Sequence, residues 1–291
     1  MKGEQHMSED RKTPVVSVIC NTYNHGKYIR QCLDSLVKQE TDFPYEILVH
    51  DDASTDDTAY IVREYESRYP DKILPICQKV NQHSQKIKVS FTFQYPRVRG
   101  KYVAFCEGDD YWTDPHKLQK QYDLMERHPE VDICAHASIV VDAQSGNVIK
   151  TARRLDETGI IPAADVIRGG GRFVSTNTLF YRSEILKNMP EFRKMMDFDI
   201  TMQAHGALRG GMLYMPDAMS AYRANVQGSW RDRMSKDNKR KIAHLKRVRA
   251  MLGQMDRDTN HRFWKIILKR RIEITARIFA FRTGIGKRKG L

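Results

Sequence analysis

The chain has 291 residues, of which 41% are hydrophobic and 29% charged, and its formal net charge is +13. This hydrophobic content supports a sizeable buried core. No run of about 18 uncharged apolar residues occurs, and the polar segment 1–13 lacks the apolar centre of a signal peptide, so we expect no membrane span and a cytoplasmic location.

The first quarter of the chain alternates apolar runs with amphipathic segments. Strands are predicted at 15–20, 45–50 and 73–76, and helices at about 27–39 and 61–69. Ser54 lies three residues before Asp57, which predicts a capping box at the start of the second helix. This strand–helix order predicts a parallel α/β sheet with right-handed crossovers.

A fourth apolar run, residues 102–105, ends at three carboxylates in four residues. Residues 105–112 read Phe-Cys-Glu-Gly-Asp-Asp-Tyr-Trp. Carboxylates this close raise one another's pKa unless a cation holds them. Their oxygens suit Mg²⁺ or Mn²⁺, which keep sites open for a substrate phosphate. The alternative is a solvated acidic loop, but the preceding strand and the helix start at 113–115 favour a metal and phosphate site.

Polar residues follow several of the predicted strands where each ends. They are residues 21–24, Asp51 with Asp52, and residues 107–110. Ligands of parallel α/β sheets bind beyond the carboxyl ends of the strands. We therefore expect these three groups to form one site.

Beyond Trp112 the predicted elements become shorter. A helix is expected after Asp114 and Pro115, strands at 131–141 and 177–181, a helix opening at 195–200, and short strands at 212–216 and 219–222. The glycine run 169–171 lacks the Lys-Ser/Thr and the preceding strand of a phosphate loop. It is therefore expected to be a flexible loop.

The positive charge is concentrated at the end of the chain. Residues 231–291 contain 20 Lys and Arg against 5 Asp and Glu, whereas residues 1–230 contain 29 against 31. We therefore divide the chain into a catalytic or binding domain, residues 1–230, and a basic helical extension, residues 231–291.

Within the extension, residues 262–282 have an amphipathic pattern. Trp, Phe and Ile occupy about half of the helical wheel, and Lys and Arg most of the other half. This pattern suits a helix on an anionic membrane surface, or a helix docked on the domain with its basic face in water. No nucleic-acid-binding motif accompanies the charge, so no nucleic acid partner is expected.

Four stretches of the chain, in order, resemble a family 2 glycosyltransferase with the GT-A fold, of the bacterial cell-surface polysaccharide type. They are residues 15–24, residues 49–56, residues 100–112, and Asp197 with Tyr222-Arg223 and Gly228-Ser229. The resemblance implies a Rossmann-like, mostly parallel sheet flanked by helices. It further implies a nucleotide-binding half at about 14–113 and an acceptor half at about 114–230.

The resemblance also implies a nucleotide diphosphate sugar donor, with UDP as the first choice of nucleotide. It assigns Asp52 to the N–H groups of the base, with Asp51 in support, and places Asn21, Thr22 and Tyr23 along the uridine pocket. Helix capping is the alternative role for the two aspartates.

The Asp-x-Asp motif of the family corresponds here to Glu107-x-Asp109-Asp110. The resemblance assigns Asp110 and Asp109 to metal and ribose contacts, with Mn²⁺ or Mg²⁺ as the cofactor. Such a metal acts as a Lewis acid at the departing diphosphate. Glu107 replaces the aspartate of the family and is the third candidate ligand.

Inversion requires a general base within hydrogen-bond reach of the acceptor hydroxyl. The resemblance assigns this role to Asp197, with Asp199 as the competing candidate and helix capping as the alternative. Arg223 and Arg97 are candidates for contact with the diphosphate. The family often has a histidine after Tyr-Arg, where this chain has Asn225, so no histidine ligand is expected there.

Together these features predict a metal-assisted, inverting glycosyltransferase. It would move a sugar to a hydroxyl of a glycan or lipid-linked glycan in cell-surface polysaccharide or lipopolysaccharide assembly, at the inner face of the membrane. A sugar-nucleotide nucleotidylyltransferase is one rival, but it requires a Gly- and Arg-rich loop after the first strand, and residues 21–26 have one glycine and no arginine. A non-catalytic membrane-associated scaffold is the other rival, and it predicts neither turnover nor metal dependence.

Overall fold

The computed structural model describes residues 13–229, 232, 234 and 237–283. A sheet of ten strands forms its centre. The strands are β1 (Val16–Thr22), β2 (Tyr45–Asp51), β3 (Ile73–Cys77), β4 (Tyr102–Phe105), β5 (Tyr111–Trp112), β6 (Ile133–Asp142), β7 (Val148–Ala152), β8 (Gly159–Ile161), β9 (Phe180–Arg182) and β10 (Met212–Ala224). The helices are α1 (Ile29–Val37), α2 (Thr58–Arg68), α3 (Lys117–Arg127), α4 (Ala163–Gly169), α5 (Glu191–Met195), α6 (Asp199–Ala207), α7 (Asn238–Asp258) and α8 (Trp264–Thr283).

The main path of the sheet has the strand order β3-β2-β1-β4-β9-β6-β10-β5. Strands β1 to β4 pair in parallel, which confirms the prediction for the first half of the chain. Strand β9 then pairs antiparallel with both β4 and β6, while β6 and β10 are parallel. The predicted α/β architecture is thus present, with a mixed sheet in its second half.

Apolar side chains fill both faces of the sheet. On one face α1, α2 and α3 bury residues that include Leu33, Leu36, Val62, Leu118 and Met125. On the other face α4 to α8 bury residues that include Val166, Phe192, Ala204, Met251 and Ile267. Each fully buried Val, Leu, Ile, Phe or Met contributes about 1.5–3 kcal/mol. These two cores fix the strand ends from which the polar residues project.

The turn after β2 differs from the prediction. Helix α2 begins at Thr58, whose N–H donates to the Asp56 carboxylate at 3.0 Å, so the predicted capping box at Ser54 is wrong. The Ser54 hydroxyl instead donates to the Asp51 carboxylate and accepts from the Asn24 N–H at 2.8 Å. Ala53 has a φ of 60°, a left-handed conformation that turns the chain back toward β2.

Three boundaries in the second half also differ. Strand β10 is continuous where two short strands were predicted, because register shifts between Met215 and Ser220 form a bulge that accommodates Pro216. Residues 177 and 178, predicted to begin a strand, instead belong to a 3₁₀ turn, Thr176–Thr178, before β9. Residues 169–171, predicted to be a flexible loop, end α4 and form another 3₁₀ turn.

The two C-terminal helices cover the second face of the sheet. Met251 and Leu252 of α7 and Ile267 and Ile274 of α8 are buried in the same core as the sheet residues. The guanidinium of Arg270 donates to the backbone carbonyls of residues 167 and 168 at the end of α4. Helix α8 therefore adopts the docked arrangement. The predicted boundary at residue 230 lies outside the described residues, and none of the described helices is both long and apolar enough to cross a bilayer.

Candidate active site

The carboxyl ends of β1, β2 and β4 meet at one edge of the sheet. The N–H of Asp52 donates to the Thr22 carbonyl at 3.0 Å, and the N–H of Gly108 donates to the Asn21 carbonyl at 2.9 Å. The polar groups that follow these strands therefore lie side by side, as the sequence predicts.

Gly108 allows the acidic loop to approach β1 closely. A Cβ at this position would lie 2.6 Å from the Thr22 hydroxyl oxygen and 3.0 Å from Nδ1 of His25. Both of these atoms are buried and have no hydrogen-bond partner among the described residues. Buried polar atoms usually have partners, so two unpaired ones beside the acidic loop favour a polar ligand here.

Three acidic side chains converge beyond β4. One carboxylate oxygen from each of Glu107, Asp109 and Asp110 lies within 4.8 Å of the others. Glu107 is exposed, Asp109 is half-buried and Asp110 is buried. Hard divalent cations prefer oxygen ligands of this kind, so the donor set fits Mg²⁺ or Mn²⁺.

Asp110 is held from two directions. Its carboxylate accepts from the N–H of Arg223 at 2.8 Å and from Nδ2 of Asn177 at 3.1 Å. Burial, followed by repulsion from Asp109 and Glu107, raises the pKa of Asp110 well above its ordinary range. A cation at this position would favour the ionised form and relieve the repulsion.

The pKa of Glu107 is affected by the other acidic residues of the cleft, including the candidate base Asp197. Desolvation by the surrounding cleft, followed by the charges of Asp109, Asp199 and Asp197, raises the pKa of Glu107 to about 8, although its side chain still reaches solvent. Hydrogen bonds show the same arrangement, because the adjacent residues Thr176 and Asn177 donate to Asp199 and Asp110 respectively. The acidic loop and the start of α6 therefore lie at the same cleft.

Asp197 and Asp199 have different surroundings. Asp197 lies just before α6, and its Oδ1 is 3.4 Å from the guanidinium of the buried Arg193. Asp199 accepts from the Thr176 hydroxyl at 2.7 Å. Burial raises the pKa of Asp199, and the charge of Asp197 adds to the shift. Arg193 thus holds the Asp197 carboxylate in an ion pair, whereas the Thr176 hydroxyl holds that of Asp199.

On the nucleotide side, the two aspartates after β2 organise loops. Asp52 accepts from the N–H groups of Gln82 at 2.7 Å and His83 at 3.1 Å. Asp51 accepts from the N–H of Ser54 at 3.1 Å. Neither carboxylate caps α2, and the loops that they hold border the end of β1.

The three predicted pocket residues of β1 differ in accessibility. The Asn21 amide oxygen accepts from the buried Gln94 at 3.1 Å, and Thr22 is buried. Tyr23 is 38% exposed. Tyr23 is therefore the most accessible of the three to a base or ribose, and Gln94 fixes Asn21 from behind.

The two predicted arginine contacts occupy different places. Arg223 donates to the Asp109 carbonyl and lies between the rings of Tyr28 and Tyr111, with its guanidinium carbon 4.9 and 4.6 Å from their centroids. Arg97 donates to the carbonyl of Leu74, in the middle of β3. The position of Arg223 beside the acidic loop favours a diphosphate contact, and that of Arg97 does not.

Sequence reasoning missed four residues that shape the site. Thr176 and Asn177 hold Asp199 and Asp110 from one short turn, so this turn links the two acidic segments. Nε2 of His25 lies 3.8 Å from Asp109, and Arg193 contacts Asp197. The polar run 175–178 before an apolar strand was a sequence pattern that could have predicted the turn. No sequence pattern marked Arg193 as a partner of Asp197.

The family model described as "Glycosyl transferase family 2" matches residues 17–223. An uncharacterized protein of Mycobacterium tuberculosis is 34% identical over 74% of this chain and 60% of its own length. An uncharacterized glycosyltransferase of Nostoc is 28% identical over 60% of this chain and 52% of its own length. The chain thus spans only about half to three fifths of these relatives.

Solved structures share the fold at low sequence identity. TarS 1–349 of S. aureus, in complex with UDP-GlcNAc, has a TM-score of 0.61 and 21% identity, over 83% of this chain and 66% of that one. The mannosyltransferase PcManGT of Pyrobaculum calidifontis, with GDP-Man and Mn²⁺, has a TM-score of 0.59 and 16% identity, over 96% of this chain and 77% of that one. These likenesses confirm the predicted GT-A fold. Because the family model covers most of the folded domain, including the acidic cleft, the chain belongs to glycosyltransferase family 2.

Proposed function

We propose that this protein transfers a sugar, with inversion, from a UDP-sugar to a hydroxyl of a glycan or lipid-linked glycan in cell-surface polysaccharide assembly. The observation that carries the proposal is the convergence of Glu107, Asp109 and Asp110 with Asp197 in one cleft. A cation site for a diphosphate and a carboxylate for an acceptor hydroxyl are the two requirements of this reaction.

The donor would lie across the carboxyl edge of the sheet. Asp52 would accept the N3–H of the uracil base through a lone pair that its loop contacts leave free, and Asp51 would support the turn. Asn21, Thr22 and Tyr23 would line the base and ribose. TarS binds UDP-GlcNAc and PcManGT binds GDP-Man, so both nucleotides must be compared.

In the transfer step, Asp197 would accept the proton of the acceptor hydroxyl. The hydroxyl oxygen would then form a bond to the anomeric carbon from the face opposite the nucleotide. The bond between that carbon and the diphosphate oxygen would break, and the electron pair would leave with UDP. One displacement of this kind inverts the anomeric configuration, and the ion pair with Arg193 would orient the Asp197 carboxylate for it.

Glu107, Asp109 and Asp110 would hold the divalent cation, with Asp109 also reaching the ribose. When bound, Mn²⁺ or Mg²⁺ supplies positive charge to the departing diphosphate. Asn177 and the Arg223 N–H would keep the Asp110 carboxylate in place. The guanidinium of Arg223 would add charge on the side of the diphosphate.

Calorimetric titration of UDP and GDP, each with and without Mn²⁺, tests the proposal. We expect UDP to bind and Mn²⁺ to strengthen that binding. Preferred binding of GDP would change the donor assignment and keep the reaction class. If neither nucleotide binds, the protein is not a transferase of this kind, and the scaffold alternative gains support.

The affinity for Mn²⁺ should depend on pH. The pKa of Glu107 is raised to about 8, and burial raises that of Asp110 well above its ordinary value. A cation requires ionised carboxylates, so bound protons must leave when it binds. We therefore expect the Kd for Mn²⁺ to rise as the pH falls from about 8 to about 6, by up to about tenfold per pH unit for each proton displaced.

Titrations in buffers with different ionisation enthalpies would count the protons released. Glu107→Gln should remove about one proton from that count. An Mn²⁺ affinity that stays constant between pH 6 and 8 would contradict the raised pKa values of this cluster.

A further inference from the structure

Helix α8 presents two apolar faces, and the residues that the structure describes cover one of them. Ile267, Ile274 and Ile278 are buried in the core of the second face of the sheet. Four other large apolar side chains on the helix are exposed by about half or more. They are Trp264 (50%), Leu268 (48%), Ile272 (61%) and Phe279 (60%).

These four side chains, the α8 stripe, lie on one side of the helix. At about 100° per residue they fall within an arc of about 80°, and their spacing runs along about four turns. Single exposed apolar residues are common on soluble proteins, whereas a continuous apolar patch marks an interaction site. On the helical wheel of the sequence the stripe and the docked face form one apolar half. The structure shows that the docked face is buried and that the stripe is exposed.

Basic residues border the α8 stripe on both sides. Lys265 and Lys269 follow it around the helix in one direction. Arg271 borders it in the other direction, and Arg249 of the neighbouring α7 donates at 3.2 Å to Thr275, which lies within the arc of the stripe. Helix α8 carries six Lys and Arg residues and one acidic residue, Glu273, which lies about 100° or more from the stripe. The surface that meets the stripe must therefore carry negative charge at its rim.

We propose that the α8 stripe binds an anionic lipid leaflet, with its apolar side chains at the boundary of headgroups and acyl chains and the flanking Lys and Arg at the lipid phosphates. An apolar helical face bordered by basic residues is typical of helices that lie in this interface. A second copy of the chain is a poorer partner, because two such faces would bring like charges together. The proposal goes beyond the transfer reaction and does not depend on it.

Vesicle co-sedimentation of the full chain tests this proposal. Vesicles of phosphatidylcholine with phosphatidylglycerol would be compared with vesicles of phosphatidylcholine alone. We expect binding to the anionic vesicles only, weakened by added salt. Leu268→Ser combined with Ile272→Ser should weaken binding by at least about tenfold, because two partly buried aliphatic side chains are lost.

Val148→Ser combined with Ile149→Ser is the matched control, because these side chains on β7 are 61% and 52% exposed. This variant should bind the vesicles like the wild type. The fluorescence of Trp264 should shift to shorter wavelength on anionic vesicles, and Trp264→Phe should remove that shift. Equal binding by the two double variants would overturn the proposal, as would a failure of the wild type to bind anionic vesicles.

Two further measurements separate the alternatives. Light scattering would show whether the wild type forms a dimer and whether the Leu268/Ile272 variant loses it. A dimer that is lost in the variant, together with no vesicle binding by the wild type, would assign the stripe to a second copy and overturn the proposal. UDP titration of the same variant should match the wild type. Lipid binding and donor binding can therefore fail independently of each other.

Discussion

Replacing Asp197 with asparagine should lower the rate of sugar transfer by about 10²–10⁴-fold, the contribution that a positioned general base makes. Asparagine keeps the size of the side chain and can still accept from Arg193, so the cleft should keep its shape. Donor binding should change little, because Asp197 lies on the acceptor side of the acidic cluster. The measurement is kcat with saturating donor and acceptor, together with UDP titration of the variant.

Asp199→Asn is the matched control for Asp197→Asn. Asp199 accepts from the Thr176 hydroxyl at 2.7 Å, so we expect its carboxylate to hold the 176–178 turn rather than to receive the proton of the acceptor. We expect Asp199→Asn to retain most of the transfer rate. If Asp199→Asn lowers the transfer rate more than Asp197→Asn does, Asp199 is the general base and Asp197 is not.

Asp110→Asn should abolish the stimulation of nucleotide binding by Mn²⁺. Mutation of residues that only support a metal ligand costs about 10–100-fold in affinity, so loss of a ligand should weaken Mn²⁺ binding by at least about 100-fold. The asparagine cannot accept from both the Arg223 N–H and Asn177. Leaving one buried donor unpaired costs about 1–3 kcal/mol, so a lower Tm should accompany the loss.

Asp114→Asn provides the comparison for this variant. Asp114 lies four residues along the chain, but its carboxylate pairs with Lys120 at 2.7 Å outside the acidic cluster. Its variant should keep the Mn²⁺ stimulation of the wild type. Undiminished Mn²⁺-dependent UDP binding in Asp110→Asn, with normal cooperative unfolding, would show that the metal site has been assigned to the wrong carboxylate.

The first half of the fold could be predicted because its signals are local. Apolar runs before Thr22, Asp51 and Glu107 specify buried parallel strands, and the topology of such sheets brings their ends together. The acidic loop was therefore placed correctly relative to the nucleotide side. Strand boundaries shifted by one or two residues where backbone pairing continues into polar residues, as it does at Thr22.

The second half could not be predicted to the same depth because its signals are tertiary. Pro216 ordinarily ends a strand, yet a bulge carries β10 past it. Asn177 reaches Asp110 across 67 residues. Arg193 and Asp197 are only four residues apart, but α5 ends between them, so helical spacing did not predict their contact. The pattern of α8 predicted an amphipathic helix, but periodicity alone does not say which apolar face a neighbour covers.

The packing of the C-terminal helices has a consequence for where this protein can be divided. The family match ends at residue 223, and the change in charge falls near residue 230. The core that supports α6, however, includes Met251, Ile267 and Ile278. A fragment cut at either point would uncover the apolar sides of α5 and α4, on which the two C-terminal helices pack. The segment that matches the family is thus shorter than the segment that folds as one unit. The basic C-terminal helices belong to that folding unit.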